Sequence, residues 1–250
     1  MKYITLPPIR GKQKEIIPLV FRFRYINRIQ FQKLTNTPHR QNIALRLKDL
    51  VDKNYLKSLY EESQKTKFIP GAYCLGNMGI QYLRSLGYSD KDLKKYYDDD
   101  TKSPSFQNKC LFIVDTYLAL LNDSKNSRSK FIFYAPADLI GVMKELNPDF
   151  GYAYESKTKV VSYTCQIFET LMSREVIKNK VRKYFTFFAQ EEEESHIIFI
   201  CPTDHIYKIV KNRTRKYLEE ELTDDNIHFW VTTTEKMRTG DTGEKIRILN

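Results

Sequence analysis

The chain has 250 residues, of which 41% are apolar and 13% aromatic. This is enough apolar material to bury one large core or two small ones, and it excludes disorder as the main state of the chain. The formal net charge is +10, but residues 1–62 hold 13 Lys and Arg against 5 Asp and Glu, whereas residues 63–250 hold 28 against 26. A basic N-terminal quarter predicts a polyanionic partner, since phosphate neutralisation supplies most non-specific affinity for nucleic acids.

Several classes of protein are disfavoured by what the sequence lacks. The chain starts without an apolar signal segment, and it has no apolar run of the roughly 18 residues that span a membrane, which predicts a cytoplasmic protein. Its 9 glycines are not arranged as a phosphate-binding loop, and its histidines do not have metal-ligand spacing. Four widely spaced cysteines in apolar contexts predict buried, reduced thiols: Cys74, Cys110, Cys165 and Cys201.

The N-terminal segment predicts a short arm followed by helices. Residues 1–15 carry two prolines, a glycine and several cations, which is typical of an extended or frayed arm. The run 16–25 is apolar and predicts a first core helix with Pro18 in its first turn. Asn27 is placed to cap a second helix, and the polar stretch 35–38 predicts a turn.

The longest amphipathic pattern of this region predicts a helix from Thr37 to Lys53, with Thr37 as its cap and Pro38 at its first position. Apolar residues recur at helical spacing and predict the buried stripe, and the opposite face is polar enough to read DNA. The stripe consists of Ile43, Leu47, Leu50 and Val51. The predicted base contacts are Gln41, Asn42 and Leu45, and the predicted phosphate contacts are Arg40, Arg46, Lys48, Lys57, Lys65 and Lys67.

Two β-rich runs, YLKSLY and FIPGAYCL, follow this helix and surround a polar tip that carries Lys65 and Lys67. Helix, turn, helix and hairpin in this order predict a winged helix-turn-helix. Two further helices are predicted over 78–86 and 90–97. The acidic, proline-closed stretch 98–104 then predicts a linker between a first domain, 16–100, and a second, 104–250.

The second domain is predicted to be mixed α/β. It opens with a helix over 105–121, which is either a dimer surface or a bridge between the two cores. Alternating runs between 130 and 171 then predict an antiparallel meander, and a helix follows over 173–189. The buried strand 196–202, helix 204–221 and strand 227–233 predict a right-handed crossover with parallel pairing.

In its motifs, the chain resembles the plasmid replication-relaxation family. The N-terminal motifs are FRFRYINRIQFQKL, RQNIALRLKDLVDKNYL and AYCLGNMGIQYL, and the later ones are PADLIGV, QIFET, SREVIKNKVRKYF and HIIFICPTDHIYKIV. The resemblance extends from about Pro18 to Trp230. It implies a winged helix that binds DNA in plasmid replication or conjugative relaxation complexes, followed by a domain similar to the restriction-endonuclease fold, often without a complete active site.

A nuclease of that fold needs two carboxylates on neighbouring strands and a lysine two residues after the second, which together bind Mg²⁺. Asp138 is the candidate first carboxylate. For the second, Glu155 is followed by Lys157 but lies at a predicted turn, whereas Glu169 ends a strand but has Leu171 in the lysine position. The resemblance also places Lys180 and Tyr184 on the helix that follows the carboxylate. Such short patterns arise by chance in Lys- and Glu-rich chains, so an inactive second domain is favoured.

The sequence therefore predicts a sequence-selective protein that binds double-stranded DNA and serves a plasmid or other mobile element in replication or transfer. Relaxase or replication proteins, or a second copy of the chain, are the further partners that this role implies. No cofactor is predicted, except Mg²⁺ if the second domain is a nuclease. Two alternatives stay open: a Mg²⁺-dependent DNA nuclease and a winged-helix transcription regulator.

Overall fold

The computed structural model describes residues 6–59, 71–125, 127–139, 143, 146–189, 194–221 and 226–246. The chain divides into two units, called here unit 1 (Met1–Val114) and unit 2 (Asp115–Asn250). Within the described ranges, no helix is both long and apolar enough to cross a membrane.

Unit 1 combines helices with a three-stranded antiparallel sheet. In chain order its elements are α1 (Lys12–Phe23), β1 (Ile26–Asn27), α2 (Arg28–Leu34), α3 (Arg40–Asp52), β2 (Leu56–Leu59), β3 (Ala72–Leu75), α4 (Asn77–Ser85), α5 (Asp90–Leu93) and the first half of α6 (Pro104–Ser124).

The sheet of unit 1 has the strand order β1-β3-β2. Strand β1 precedes the helix pair α2 and α3, and β2 and β3 follow it, which is the element order of a winged helix-turn-helix. The predicted N-terminal fold is therefore confirmed. The predicted wing cations Lys65 and Lys67 lie outside the described residues.

The helix pair of unit 1 is fixed by a cap and an apolar stripe. Asn27 and Gln30 form the reciprocal hydrogen bonds of a capping box at the start of α2, as predicted for Asn27. Ile43, Leu47 and Leu50 are fully buried on α3. Each such side chain contributes about 1.5–3 kcal/mol on burial, so this stripe sets the rotation of α3 about its own axis.

Two predicted helix starts were wrong. Helix α1 begins at Lys12, after Gly11 turns the chain at a φ of 49°, so Pro18 lies inside the helix and not in its first turn. Helix α3 begins at Arg40 after His39. Thr37 precedes a proline, which disfavours helical backbone at that residue, and its hydroxyl hydrogen-bonds the Thr35 hydroxyl at 2.8 Å instead of capping α3.

In the stretch predicted as a linker, 98–104, Asp99 is held in the core of unit 1, whereas the other residues of the stretch are exposed. Asp99 is fully buried and forms an ion pair with the Arg24 guanidinium. The hydroxyl of Tyr25 donates to the Asp99 carbonyl oxygen, and Arg24 also donates to the Lys95 carbonyl at 3.1 Å. The division between the units falls further along, inside α6, because these contacts tie the acidic stretch back to the end of α1.

Unit 2 is built on a six-stranded mixed sheet. Its elements are the second half of α6, then β4 (Lys130–Tyr134), β5 (Phe150–Glu155), β6 (Val160–Ile167), α7 (Arg174–Phe188), β7 (Ser195–Cys201), α8 (Asp204–Glu221), β8 (Ile227–Thr233), α9 (Thr234–Met237) and β9 (Glu244–Lys245).

The sheet of unit 2 runs in the order β4-β5-β6-β7-β8-β9. Strands β4, β5 and β6 are antiparallel, whereas β6, β7 and β8 are parallel to one another. The predicted meander and the predicted parallel crossover are both confirmed, and the protein is mixed α/β. Helices α7 and α8 connect the parallel strands and pack on the sheet face that carries Ile197, Phe199 and Phe229.

The four cysteines are buried and free of disulfides, as predicted. Burial raises the pKa of the Cys74 and Cys201 thiols to about 12. Both thiols are therefore protonated at neutral pH and behave as small apolar side chains.

The buried ion pair leads to a test of unit 1 stability. We expect Asp99→Asn to lower the free energy of unfolding by about 3–5 kcal/mol, because it leaves the Arg24 cation without its buried counter-charge. The matched control is Asp90→Asn, which removes the exposed partner of Arg84 and should cost less than about 1 kcal/mol. Urea denaturation measures both. Equal losses in the two variants would contradict the role given to Asp99.

Candidate nucleic-acid interface and a buried polar network

The outward face of α3 presents the three predicted base contacts to solvent. Gln41 and Asn42 are exposed, and the Leu45 side chain is 67% exposed. These positions and Lys48 follow one another at helical spacing, so they share the face opposite the buried stripe. Amide groups that donate and accept, together with an apolar side chain, have the chemistry that reads adenine and thymine edges in the major groove.

The predicted phosphate contacts separate into two groups. Arg40 and Lys48 are exposed on α3. Arg46 instead donates to the Thr37 hydroxyl at 3.1 Å, and Lys57 forms a 2.7 Å ion pair with Asp100. Arg46 thus braces the turn before α3, and Lys57 ties β2 to the acidic stretch.

Helix α3 also carries a contact to α1 that the sequence did not reveal. Asp49 on α3 accepts from Gln13 on α1 at 2.6 Å and from Lys53 at 2.8 Å. The hydrogen bond from Lys53 is the main cause of a lowered pKa at Asp49. Asp49 therefore fastens α3 to α1.

Of the predicted nuclease residues, Asp138 and Glu169 follow β4 and β6 at one end of the sheet of unit 2, and Glu155 lies at the other end. Asp138 closes a turn after β4, where its carboxylate accepts from the Ala135 amide at 2.9 Å. Glu169 is exposed in the bend that follows β6. Glu155 ends β5 and pairs with Lys130 at 3.0 Å.

The combination of Glu155 with Lys157 is not supported. Glu155 is the last residue of β5, and Lys157 lies in the bend that follows it. Asp138 follows the other end of β4, which is paired with the start of β5. The six residues of β5 separate these two ends of the sheet by about 20 Å. This distance is too large for Asp138 and Glu155 to bind the same metal ion.

A different set of polar side chains does converge at the start of β5. Asp149 immediately precedes β5, Gln166 lies on β6, and Lys180 and Tyr184 lie on α7. The Gln166 side-chain amide donates to Asp149 Oδ2 at 2.6 Å, and its Oε1 accepts from Lys180 Nζ at 3.0 Å and from the Tyr184 hydroxyl at 3.3 Å. We call these four side chains the Gln166 network.

Within the Gln166 network, Gln166 and Tyr184 are buried, whereas Asp149 and Lys180 are partly exposed. Gln166 is 7% exposed and Tyr184 is 1% exposed. The amide of Ile167 also donates to Asp149 Oδ2, at 2.7 Å. Burial raises the pKa of the Tyr184 hydroxyl, and the negative charge of Asp149 raises it further, so Tyr184 stays a neutral donor at physiological pH.

The family resemblance pointed to the helix that carries Lys180 and Tyr184, whereas Asp149 and Gln166 were missed. Asp149 follows Asn147 and Pro148, which together suggest no more than a turn. Gln166 stands in an apolar strand, on the face that packs against α7, opposite Phe199 of β7. A polar residue at a buried strand position was the signal that could have identified it.

The network does not fit a Mg²⁺ ion in its folded arrangement. Mg²⁺ prefers oxygen ligands that usually include one or two carboxylates. Here Asp149 is the carboxylate of the network, and Gln166 turns its amide nitrogen, not its oxygen, toward it. Among the residues that the structure describes, no three His, Cys, Asp or Glu side chains are grouped to hold a metal.

At the other end of the sheet, Glu194 joins two neighbouring parallel strands. Its carboxylate lies 2.7 Å from His228 Nε2 and 2.5 Å from Lys159 Nζ. The hydrogen bond from Lys159, with His196 and His228, lowers the pKa of Glu194 to about 2. Glu194 is therefore held by side chains that precede or lie on three neighbouring strands.

No protein-family model matches the chain, and no curated protein matches it. Among solved structures, it is similar to the restriction endonuclease FokI, alone and bound to DNA, at 10% identity in each case. The TM-scores are 0.30 and 0.27, and the matches cover 92% of this chain and 44% of the FokI chain. Similarity this weak assigns neither a site nor a ligand.

The lowered pKa of Glu194 predicts how acid destabilises unit 2. A depressed carboxyl pKa contributes stability that is complete above the unfolded value near 4.5 and is lost as the pH falls toward 2. We therefore expect Glu194→Gln to be less stable than the wild type at pH 5, with the difference narrowing by pH 2.5. Urea titrations across this range measure it, and a difference that stays constant with pH would count against the assignment.

Proposed function

We propose that this protein binds double-stranded DNA with sequence selectivity by placing α3 in the major groove. The supporting observation is the position of Gln41, Asn42 and Leu45 on the exposed face of a helix whose opposite face is buried. The second helix of a helix-turn-helix is the element that enters the groove in this class. A basic N-terminal quarter adds the general attraction for phosphates.

In this proposal the residues of α3 have separate tasks. Gln41 and Asn42 hydrogen-bond adenine edges, and Leu45 contacts a thymine methyl group. Arg40 and Lys48 neutralise backbone phosphates and set the register without carrying sequence information. Arg46 and Lys57 act indirectly, because each holds a neighbouring part of unit 1 through its contact with Thr37 or Asp100.

We further propose that the protein is a non-cleaving accessory factor of a plasmid or other mobile element. This role rests on the resemblance of its motifs to the replication-relaxation family, and it makes an origin region the DNA target. A relaxase or replication protein is then the expected protein partner, and a dimer would read paired half-sites. Footprinting separates this role from transcription control: an origin factor protects the origin, whereas a repressor protects a promoter.

Base readout predicts a selective loss of affinity. On the element's own origin DNA, we expect Gln41→Ala to weaken binding by about 1–3 kcal/mol for the lost base contact and to leave binding to random DNA nearly unchanged. Asn108→Ala is the matched control, since it removes an exposed amide from α6 of unit 1. Fluorescence anisotropy measures all three proteins, and equal losses on both DNAs would refute the readout assignment.

Phosphate contact predicts a different pattern. Arg40→Ala and Lys48→Ala should each weaken binding similarly on preferred and random DNA, and each should reduce the slope of log K against log salt by about 1. Lys125→Ala removes an exposed cation at the end of α6 and should leave the slope unchanged. If the α3 variants kept the wild-type slope, neither cation would touch phosphate.

The non-cleaving role is tested with supercoiled plasmid in Mg²⁺ or Mn²⁺. We expect no nicking by the wild-type protein, because the Gln166 network does not present the carboxylate ligands that such a metal site needs. Nicking that disappears in Asp138→Ala or in Asp149→Ala would show instead that the protein is a metal-dependent nuclease.

A further inference from the structure

The Gln166 network balances its charges through one neutral amide. Asp149 carries a negative charge and Lys180 a positive one, and each is bonded to a different end of the Gln166 side chain. The ends of an amide have opposite polarity, so its nitrogen suits the carboxylate and its oxygen suits the ammonium group. Gln166 therefore links the start of β5 to α7, and each charged group faces the end of the amide that has the opposite polarity.

The orientation of this amide is determined by its partners. Lys180 and Tyr184 both donate, so the atom that faces them must be the oxygen; Asp149 accepts, so the atom that faces it must be the nitrogen. If the amide were flipped, its N–H groups would face the donor Lys180 and its oxygen would face the acceptor Asp149. Losing these bonds in a buried place costs more than they contribute when formed.

We propose that Gln166 closes this network to divalent cations, and that a carboxylate at this one position creates a cation site with Asp149. The wild-type amide presents N–H donors, and not an oxygen, to Asp149. In Gln166→Glu one carboxylate oxygen keeps the contacts with Lys180 and Tyr184. The other replaces the nitrogen that lies 2.6 Å from Asp149 Oδ2.

Two carboxylate oxygens at that separation repel each other unless a cation or a proton lies between them. Hard divalent cations such as Mg²⁺ and Mn²⁺ are bound by oxygen ligands of this kind. The substituted network is therefore destabilised without metal and restored by it. Cation binding here is independent of whether α3 binds DNA, so either proposal can fail without the other.

The experiment measures thermal unfolding of the full chain with and without millimolar Mn²⁺ or Mg²⁺. We expect the wild type to show no metal-dependent shift. Gln166→Glu should have a lower Tm without metal and regain roughly 5 °C or more when metal is added, as mass action requires of a ligand that binds the folded state. Adding Asp149→Asn to Gln166→Glu should abolish that gain.

Gln107→Glu is the matched control, because it adds the same charge on α6 at a partly exposed position, and it should not respond to metal. A second measurement uses Mn²⁺ binding followed by electron paramagnetic resonance at room temperature, which does not depend on stability. Asp149-dependent binding of Mn²⁺ by the wild type would overturn the proposal. So would a Gln166→Glu protein that folds but ignores metal, or one that fails to fold even in its presence.

Discussion

The apolar stripe of α3 is the constraint on which the properties of unit 1 depend. Ile43, Leu47 and Leu50 leave no solvent-accessible surface, so the helix has one rotational setting in which they are buried. That setting turns Gln41 and Leu45 outward. The Asp49 contacts with Gln13 and Lys53 support the same setting from the side of the helix. The exposed polar face is thus a consequence of core packing. Its side chains are not needed for the core, so their types can be suited to a ligand.

In unit 2, the Gln166 network satisfies the needs of several elements through one side chain. A strand end, a strand start and a helix meet there, and each brings backbone or side-chain groups that need partners once water is excluded. One amide with two donors and one acceptor meets these needs together. Because this side chain is a neutral amide, it links the elements by hydrogen bonds. A second carboxylate at the same position would instead supply ligands for a metal ion. A difference of a single functional group separates a structural network from a metal centre.

The predictions from sequence succeeded where a short-range pattern controls the outcome. The period of the apolar residues located α3 and α7, and alternation located the meander of β4, β5 and β6. The links between β6, β7 and β8 were long enough for helical crossovers, so parallel pairing followed. The acidic stretch that holds Asp99 misled the prediction, because a polar composition is typical of a linker and its pairing with Arg24, 75 positions earlier, leaves no local trace.

The sequence by itself determined the class of each unit, the face of α3 that is buried and the face that is exposed, since these depend on periodicities within a few turns of chain. Only the tertiary structure decided that Arg46 and Lys57 are held by Thr37 and Asp100, and that Asp149 meets Gln166. The physical reason is that a hydrogen bond between groups 17 positions apart depends on register and crossover geometry. Composition supplies the polar groups but does not say which of them will share a partner.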